Sequence, residues 1–354
     1  MRKIIVVGSG IIGLSCVVYL ALEGERVQVI TRNPEEASSW VAGGMLAPFS
    51  EGLEGELFDF SYESLKAYPE FVKLLENVSG QRVDFWHGGI HRVVLRGEEE
   101  LLGVALNYAR KGYKTEVIKE PTGEFSSEVS AIVHYLEEGW VDTEKLRDAL
   151  FSALKKLNVE LIVDQVVRVE RSESRIEQVL GLKSSYRGDA YIFAIGAWSR
   201  ELFDIPVYPL KGQFLKLRGY KPQRVCYSSV SYLIPRENYI YVGATSEDVG
   251  FMGGNTLEGM KKLSEGAMRV LPYLSSSFLL DFSYGYRPAT PDEKPIFETG
   301  DNYIIATGHY RNGILHAPIT AYIAKEYIKG KRSYYIDVFS CERFTKGHRA
   351  DYSV

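Results

Sequence analysis

The sequence predicts an α/β fold in which a Rossmann-like nucleotide-binding domain is interrupted by a second domain with a mainly antiparallel sheet. Strand–glycine–helix patterns occur at the start, in the middle and near the end of the chain, around residues 4–20, 189–198 and 302–330. Between them, residues 213–251 have the short strands and tight turns that are typical of an antiparallel sheet. This alternation is explained by one nucleotide-binding domain and a second domain, with the chain passing between the two several times.

The first unit has the pattern of strand, turn, helix and strand. Residues 4–7 are a continuous apolar run, as expected for a parallel strand that is covered on both faces. The glycine-rich turn 8–13 leads into a stretch with apolar residues at helical spacing, and Gly24 follows as a candidate C-cap. Residues 26–31 form the second predicted strand.

The later elements are predicted by caps, apolar runs and turns. Asp142 is a candidate N-cap for an amphipathic helix. Residues 231–235 and 239–244 flank a tight turn and predict a hairpin. A final helix stops at Gly330. Further strands are predicted at residues 159–163, 166–169, 189–195 and 302–306.

The order of these elements predicts the domain limits. The nucleotide-binding domain takes residues 1–80, 138–205 and 283–335, and the substrate domain takes residues 81–137 and 206–282. Residues 336–354 form a C-terminal tail, and its polar part after Phe344 is expected to be loosely held.

Composition and charge exclude several classes of protein. The 354 residues are 45% hydrophobic and 25% charged, which is the balance of an ordinary globular protein, and the net charge of -4 is mixed along the chain, which argues against a nucleic-acid partner. The opening apolar run is broken at once by glycines and no run spans a bilayer, so neither a signal peptide nor a membrane segment is expected. The three cysteines lack metal-ligand spacing, which predicts no metal site and favours the reducing cytoplasm.

The segment Gly8-x-Gly10-x-x-Gly13 follows a predicted strand and opens a predicted helix, as a dinucleotide-binding turn does. The first glycine permits the tight turn, the second lets backbone approach a pyrophosphate, and the third lets the helix pack on the strand. Arg32 stands near the position where an acidic residue would bind ribose. It could contact the 2′-phosphate of NADP, or it could lie beside the adenosine of FAD.

A run of small residues leads to Gly43-Gly44-Met45, directly before Leu46-Ala47-Pro48. One interpretation is that backbone here closely approaches a flat ring system, and the other is a glycine-rich connector. The residues of the run by themselves favour neither.

Seven segments of the chain resemble segments of glycine oxidases in the FAD-dependent D-amino-acid oxidase family. They occur along this chain in the same order as in those enzymes. The resemblance extends to about Phe344, and its most specific piece is Gly308-His309-Tyr310-Arg311-Asn312-Gly313. It makes NADP the poorer explanation of Arg32, since some D-amino-acid oxidases also lack the acidic residue there. The other segments are Gly8 to Gly13, Trp40 to Pro48, Lys211-Gly212-Gln213, Tyr232 to Arg236, Val242 to Thr245 and Tyr286-Arg287-Pro288.

The resemblance implies non-covalently bound FAD as the cofactor. The helix that begins near Asn312 and Gly313 would point its N-terminus at the pyrimidine edge of the flavin, where its partial positive charge stabilises negative charge. The cofactor-binding residues that the resemblance implies are Gly8, Gly10, Ile11, Ile12, Gly13, Arg32, Ser39, Gly43, Gly44, Met45, Leu46, Val166, Gly196, Trp198, Arg311, Asn312, Gly313 and Ile314.

The resemblance also implies the chemistry. A hydride passes from the substrate α-carbon to flavin N5, and water hydrolyses the resulting imine, so positioning matters more than an acid or base. Arg287 matches the arginine that grips the substrate carboxylate, Tyr232 matches a tyrosine that helps to hold it, and Arg311 matches an arginine near substrate and flavin. His309 and His87 are predicted to be structural.

Glycine oxidation with oxygen as acceptor, for thiazole formation in thiamine synthesis, is thus the function that the resemblance implies, in a cytoplasmic homo-oligomer with no membrane partner. The alternatives are a D-amino-acid or sarcosine oxidase or dehydrogenase of the same fold, and the flavoprotein half of an RNA-modifying enzyme. An NADP reductase would need a second nucleotide site, and the sequence has one convincing fingerprint.

Overall fold

The computed structural model describes residues 1–121 and 123–345. The helices are α1 Ile11–Leu22, α2 Gly55–Ser79, α3 Glu100–Arg110, α4 Thr143–Lys156, α5 Leu257–Val270, α6 Gly313–Ile328, α7 Tyr334–Val338 and α8 Glu342–Thr345. The strands are β1 Lys3–Val7, β2 Arg26–Thr31, β3 Met45–Leu46, β4 Phe85–His87, β5 Ile90–Leu95, β6 Thr115–Lys119, β7 Val129–Tyr135, β8 Gly139–Val141, β9 Glu160–Val163, β10 Val166–Ser172, β11 Arg175–Gly181, β12 Ser185–Tyr186, β13 Ala190–Phe193, β14 Tyr208–Arg218, β15 Cys226–Tyr227, β16 Tyr232–Pro235, β17 Ile240–Gly243, β18 Phe278–Ala289, β19 Ile296–Gly300 and β20 Tyr303–Thr307.

A six-stranded sheet in the order β19-β20-β13-β1-β2-β9 carries the predicted nucleotide-binding turn near its middle. Neighbouring strands from β20 to β9 are parallel, and β19 alone pairs antiparallel at the edge. Residues of β1 and β13 are almost all buried, which explains their unbroken apolar runs. Helix α1 is buried along most of its length and packs against α4 and α6.

An eight-stranded sheet in the order β18-β14-β17-β16-β15-β5-β7-β6 forms the second layer, antiparallel except where β15 meets β5. The predicted hairpin is β16–β17, and its turn is closed by the Arg236 amide donating to the Tyr239 carbonyl at 2.8 Å. Two three-stranded sheets, β10-β11-β12 and β3-β8-β4, complete the strands of the described residues. The predicted fold class, a parallel sheet with a separate mainly antiparallel one, is confirmed.

Strand β18 crosses one of the predicted domain limits. It pairs with β14 from Tyr208–Ala289 to Arg218–Phe278, with one irregularity beside Lys216. The predicted limit at residue 283 therefore lies inside a continuous strand, since nothing in the local sequence marks where a long strand leaves one unit. The domain limits as a whole stay a prediction.

The first part of the predicted tail is packed. Ile336 and Phe339 are buried, and the Phe339 carbonyl accepts a hydrogen bond from the Phe297 amide at 3.0 Å. Arg343 forms an ion pair with Asp292 at 2.8 Å. Ile336 and Phe339 thus belong to the hydrophobic core that also contains residues of α6 and β19, and the residues predicted to be loosely held lie mostly outside the described ones.

Residues 1–121 and 123–345 contain no helix that could span a membrane and no group of side chains suited to a metal ion. Within these ranges no helix combines the length and the apolar character that crossing a bilayer requires. Nor does that part of the chain gather three or more His, Cys, Asp or Glu side chains into a group suited to a metal ion. Cys16 and Cys226 are buried and Cys341 is half-buried, each as a free thiol.

Arg236 ties the antiparallel sheet to the glycine-rich segment of the other layer. Its guanidinium is buried, donates to the carbonyls of Gly43 and Val141, and lies 4.2 Å from the centre of the Trp140 ring. Burial lowers the pKa of Arg236, and the Asp142 carboxylate, 3.9 Å from Arg236 Nε, opposes this shift. Asp142 also caps α4 as predicted, accepting from the amides of residues 144 and 145 at 3.0 and 3.1 Å.

We expect Asp142→Ala to lower the free energy of unfolding by about 2 kcal/mol, because it removes an N-cap and the counter-charge of a buried arginine. Asp142→Asn keeps the cap and loses the charge, so we expect about half of that effect. Urea unfolding monitored by circular dichroism, with FAD at a fixed saturating concentration, measures both. Equal losses for the two variants would show that the cap contributes nothing.

Candidate active site

A cavity of about 530 Å³ lies at the carboxyl ends of the parallel strands. Its wall includes the residues at or just after the ends of four strands, namely Val7 of β1, Thr31 of β2, Ala194 after β13 and Thr307 of β20. The antiparallel sheet closes the other side through β14 to β18. Open parallel sheets bind their ligands at this edge, so the cavity stands where the fold predicts a nucleotide.

The glycine turn has the geometry that a dinucleotide needs. Gly8 has a φ of +111°, and a side chain there would collide with the Ala194 carbonyl. A side chain at Gly13 would collide with the Gly8 carbonyl oxygen, so α1 packs directly on the turn. Gly10 is the N-cap residue of α1 and has no side chain that could cap the helix. The N-terminus of α1 faces the cavity beside Ser39, whose hydroxyl accepts a hydrogen bond from the Ile11 amide at 3.1 Å. An anion such as a pyrophosphate fits here.

Arg32 marks one end of the cavity. Its guanidinium lies 4.8 Å from the centre of the Trp198 ring and pairs with Glu36 at 3.2 Å. Trp198 in turn stacks on Phe251, with ring centres 5.1 Å apart. No acidic residue stands at the end of β2, but Glu36 brings a carboxylate to the same wall from the following loop. Glu36 lies beyond the position at which the motif places an acidic residue, so the pattern of the motif alone does not indicate it.

The glycine-rich segment passes between the two layers. A side chain at Gly43 would come within 2.8 Å of Ile234 Cδ1. Gly44 has a φ of +73°, and a side chain there would collide with the Val141 carbonyl. Both glycines line the cavity, yet it is contact with protein that excludes a side chain at each. The segment is therefore a tightly packed connector whose backbone also forms cavity wall.

Two predicted cofactor residues do not line the cavity. Leu46 is fully buried in the main hydrophobic core, because successive residues of β3 point to opposite faces and Met45 takes the cavity side. Gly13 acts one layer away, where it allows α1 to approach the turn. The other residues predicted for the cofactor are in the cavity wall, namely Gly8, Gly10, Ile11, Ile12, Arg32, Ser39, Gly43, Gly44, Met45, Val166, Gly196, Trp198, Arg311, Asn312, Gly313 and Ile314.

The start of α6 forms part of the cavity wall. Asn312 is the N-cap residue and makes no side-chain cap hydrogen bond, so the first turn of α6 is open to a ligand. The preceding Tyr310 has a φ of +49°, a strained value for a residue with a side chain. That strain is stored at the turn that presents Arg311 and the helix terminus to the cavity.

Arg287 and Tyr232 both lie in the part of the cavity wall around Tyr241. Arg287 Nη1 donates to the Thr245 carbonyl at 2.9 Å, and its guanidinium lies over Gly212, where a Cβ would be 2.5 Å from both terminal nitrogens. The ring of Tyr232 covers Gly243. It is parallel to the rings of Tyr227 and Tyr241, at 6.2 and 6.1 Å between centres. The two residues that the sequence predicted for carboxylate binding thus share one cavity.

Glu51, Arg92 and Tyr227 also line the cavity, and the sequence did not single them out. Glu51 Oε2 lies 3.7 Å from Arg311 Nη1, and its side chain is 10% exposed. Burial raises the pKa of Glu51, while Arg311, the Tyr227 hydroxyl, Arg287 and Arg92 each pull it down. Several glutamates follow one another in this part of the sequence, and nothing local shows which of them turns inward.

Neither predicted structural histidine is placed to act as a base. His309 is in the cavity wall, but its Nε2 is 3.1 Å from the Thr320 hydroxyl, and burial lowers the pKa of His309 to about 3. His87 is exposed on β4 and is not part of the wall.

Fold and site together define a dinucleotide-binding oxidoreductase, and comparison with known proteins gives its family. Residues 3–327 match the family described as DAO, FAD dependent oxidoreductase. The chain therefore belongs to this family of FAD-dependent enzymes, and the resemblance seen in its sequence is confirmed.

Similar proteins place the chain more narrowly within that family. It is 36% identical over 351 residues to the bifunctional protein ThiO/ThiG of Trichormus variabilis, with 94% of this chain and 53% of that protein covered. It is 29% identical to a glycine oxidase of Pseudomonas aeruginosa, covering 93% and 95% of the two chains. The structure of glycine oxidase from Geobacillus kaustophilus superposes with a TM-score of 0.89 at 23% identity over 96% of this chain and 99% of that one. The chain spans about half the length of the ThiO/ThiG relatives that it matches.

We expect Gly13→Ala to weaken FAD binding at least tenfold, because the added methyl group collides with the Gly8 carbonyl and must displace the turn. Gly103→Ala is the matched control. It is also a helical glycine, but it lies exposed in α3 with open space around it. Fluorescence titration of the apoprotein with FAD measures both variants. Wild-type affinity in Gly13→Ala would show that the turn tolerates the shift.

Proposed function

We propose that the chain oxidises glycine or another small amino acid to the imine, which water hydrolyses to the 2-oxo acid and ammonia, while oxygen is reduced to hydrogen peroxide. The observation that carries the proposal is the position of Arg287 and Tyr232, which lie in the same cavity as the dinucleotide-binding turn. The names of the glycine oxidase relatives support the choice of substrate and acceptor.

The cofactor is held without a covalent bond in this proposal. The N-terminus of α1 binds the pyrophosphate, Arg32 and Trp198 lie at the adenosine end, and the open first turn of α6 faces the flavin. Met45 packs beside the ring from the segment between the two layers. FAD, when bound, supplies the hydride acceptor and the route of the electrons to oxygen.

Arg287 binds the substrate carboxylate. A guanidinium carries five N–H donors, and Thr245 takes one from Nη1, so enough donors remain for a bidentate contact. Gly212 leaves room for the guanidinium, which thereby holds a fixed orientation on the sheet. Tyr232, whose ring is clamped over Gly243, offers its hydroxyl to the same carboxylate. A substrate fixed at this end has its α-carbon oriented for transfer, which is most of the catalysis required.

The wall around this end favours small substrates. Phe214, Tyr227, Tyr232 and Tyr241 form a row of nearly parallel rings across four strands. Such rings pack closely and move little, so they leave little room for a larger side chain on the substrate. Glycine, sarcosine and D-alanine all present one carboxylate to Arg287, so a sarcosine or small D-amino-acid oxidase is the second candidate. Nothing in the cavity favours a modified base over an amino acid.

We infer that the imine feeds thiazole formation for thiamine. The support is the ThiO/ThiG relatives, in which a segment like this chain is joined to a further segment of about equal length. A cytoplasmic location and a homo-oligomeric state stay predictions.

The first test is anaerobic addition of glycine, sarcosine and D-alanine to the purified yellow protein. We expect glycine or sarcosine to bleach the flavin band, and peroxide to form when air is admitted. Bound FAD that none of the three reduces would overturn the proposed chemistry and leave the fold intact. Bleaching without peroxide would indicate a dehydrogenase.

We expect Arg287→Lys to reduce kcat/KM for glycine about 100-fold, because a lysine cannot reproduce the bidentate contact and such losses are typically about 2–5 kcal/mol. Tyr232→Phe removes one hydroxyl, and we expect a reduction of about tenfold. Steady-state kinetics measures both, with the flavin spectrum as a check of cofactor content. Arg110→Lys, on the exposed C-terminal turn of α3, is the matched control. A normal KM in Arg287→Lys would remove Arg287 from carboxylate binding.

A further inference from the structure

Three guanidinium groups and one carboxylate surround the substrate end of the cavity. Besides Arg287, the wall contains Arg311 and Arg92, and Glu51 lies among the three. Arg92 is held by its contacts with β15, with its guanidinium 4.9 Å from the Tyr227 ring and Nη1 3.3 Å from the Tyr227 carbonyl. A substrate with one carboxylate uses Arg287. The other two arginines would therefore remain to attract a second anionic group.

Glu51 is held in a fixed position by a different carboxylate. Glu138 is fully buried and accepts hydrogen bonds from the amides of Phe49 and Ser50 at 2.7 and 2.8 Å, which anchors the loop after β3. The Glu51 amide donates to the Ala47 carbonyl at 2.9 Å. The loop thus owes its shape to Glu138 and to main-chain hydrogen bonds, and the Glu51 side chain faces Arg311 and the Tyr227 hydroxyl in the cavity.

The Glu51 carboxylate neutralises Arg311 at 3.7 Å. A second carboxylate on the substrate that reached for Arg311 would also approach Glu51. The Glu51 side chain is 10% exposed and that of Arg311 is 41% exposed, so two like charges beside Glu51 repel each other and salt screens them only in part. Specificity arises as readily from such repulsion as from attraction to the preferred ligand.

We propose that Glu51 is a specificity-determining residue, which restricts the site to amino acids with a single carboxylate by neutralising Arg311 and repelling a second negative charge. The restriction on substrates rests on the proposed amino-acid oxidation. The repulsion of a second negative charge does not, because binding of ligands without turnover tests it.

The binding test titrates the FAD-bound protein with acetate and with malonate, which has one carboxylate more, and follows the flavin absorbance. In Glu51→Gln the side chain keeps its size and loses its charge. We expect malonate to bind at least tenfold more tightly than in the wild type, and acetate to change less than threefold. Equal changes for the two ligands, or no change in either, would overturn the proposal.

The kinetic test compares sarcosine with iminodiacetate, which carries a carboxymethyl group where sarcosine has a methyl group. We expect Glu51→Gln to raise the ratio of kcat/KM for iminodiacetate over sarcosine at least tenfold. An unchanged ratio with both compounds oxidised would contradict the proposal. If neither of these compounds nor glycine is oxidised by wild type or variant, the proposed function fails, and the titration with malonate still decides the role of Glu51.

Three further variants separate charge from structure. Glu54→Gln removes an exposed carboxylate of the same segment outside the cavity wall, and we expect wild-type ligand preference. Glu51→Asp retains the charge and should retain the exclusion of malonate. In the double variant Glu51→Gln with Arg311→Met the gain for malonate should disappear, since the freed guanidinium is gone. A gain that persists there would show that Arg311 is not the group that Glu51 neutralises.

Discussion

The contact between helix α1 and the turn that follows β1 is the constraint on which the site depends. Gly8 abuts the Ala194 carbonyl and Gly13 abuts the Gly8 carbonyl, so strand, turn and helix are packed backbone to backbone. Only this close approach brings the N-terminus of α1 to the edge where β1, β2, β13 and β20 end. The helix is in turn held by α4 and α6, which fixes the anion-binding end of the cavity.

The second sheet is joined to this frame by a buried charge. Arg236 reaches from the β16–β17 turn into the other layer and donates to two carbonyls there, with Asp142 as its counter-charge. Within the described residues its Nη1 has no hydrogen-bond partner, so the group carries an uncompensated cost of burial. Removing one partner of a buried ion pair leaves an uncompensated charge, so the pair holds the two layers in one arrangement. Here the arrangement sets where the tyrosine rings face the glycine-rich segment.

Two parts of the cavity wall have different electrostatic characters. At the Arg32 end the cation is stacked on Trp198 and paired with Glu36, which leaves a flat surface of weak net charge. At the Arg287 end three arginines face one carboxylate beside a row of aromatic rings. The first suits a planar, partly polar group, and the second suits a small anion.

Much of the fold could be predicted because its signals are local. The apolar runs of β1, β2 and β13, the Asp142 cap and the β16–β17 turn depend on residues that lie close together in the sequence. The short strands β3, β4 and β8 had no such signal, since two or three residues carry no period. The continuation of β18 across residue 283 could not be predicted either, because the sheet to which a strand belongs depends on the strand with which it pairs.

The sequence by itself determined the class of the protein and the motif residues. The glycine turn, Arg287 and the segment before α6 are recognised by their residue types and by their order along the chain, and both can be read from the sequence. Tertiary structure alone decided which side chains face the ligand. Leu46 turned to the core although it belongs to a motif, and Glu51, Arg92 and Glu36 entered the wall although they belong to none. The physical reason is that the direction in which a side chain points depends on packing between segments that are distant in the sequence. Glu138, for example, holds the loop that carries Glu51. Such contacts leave no periodic trace in the sequence.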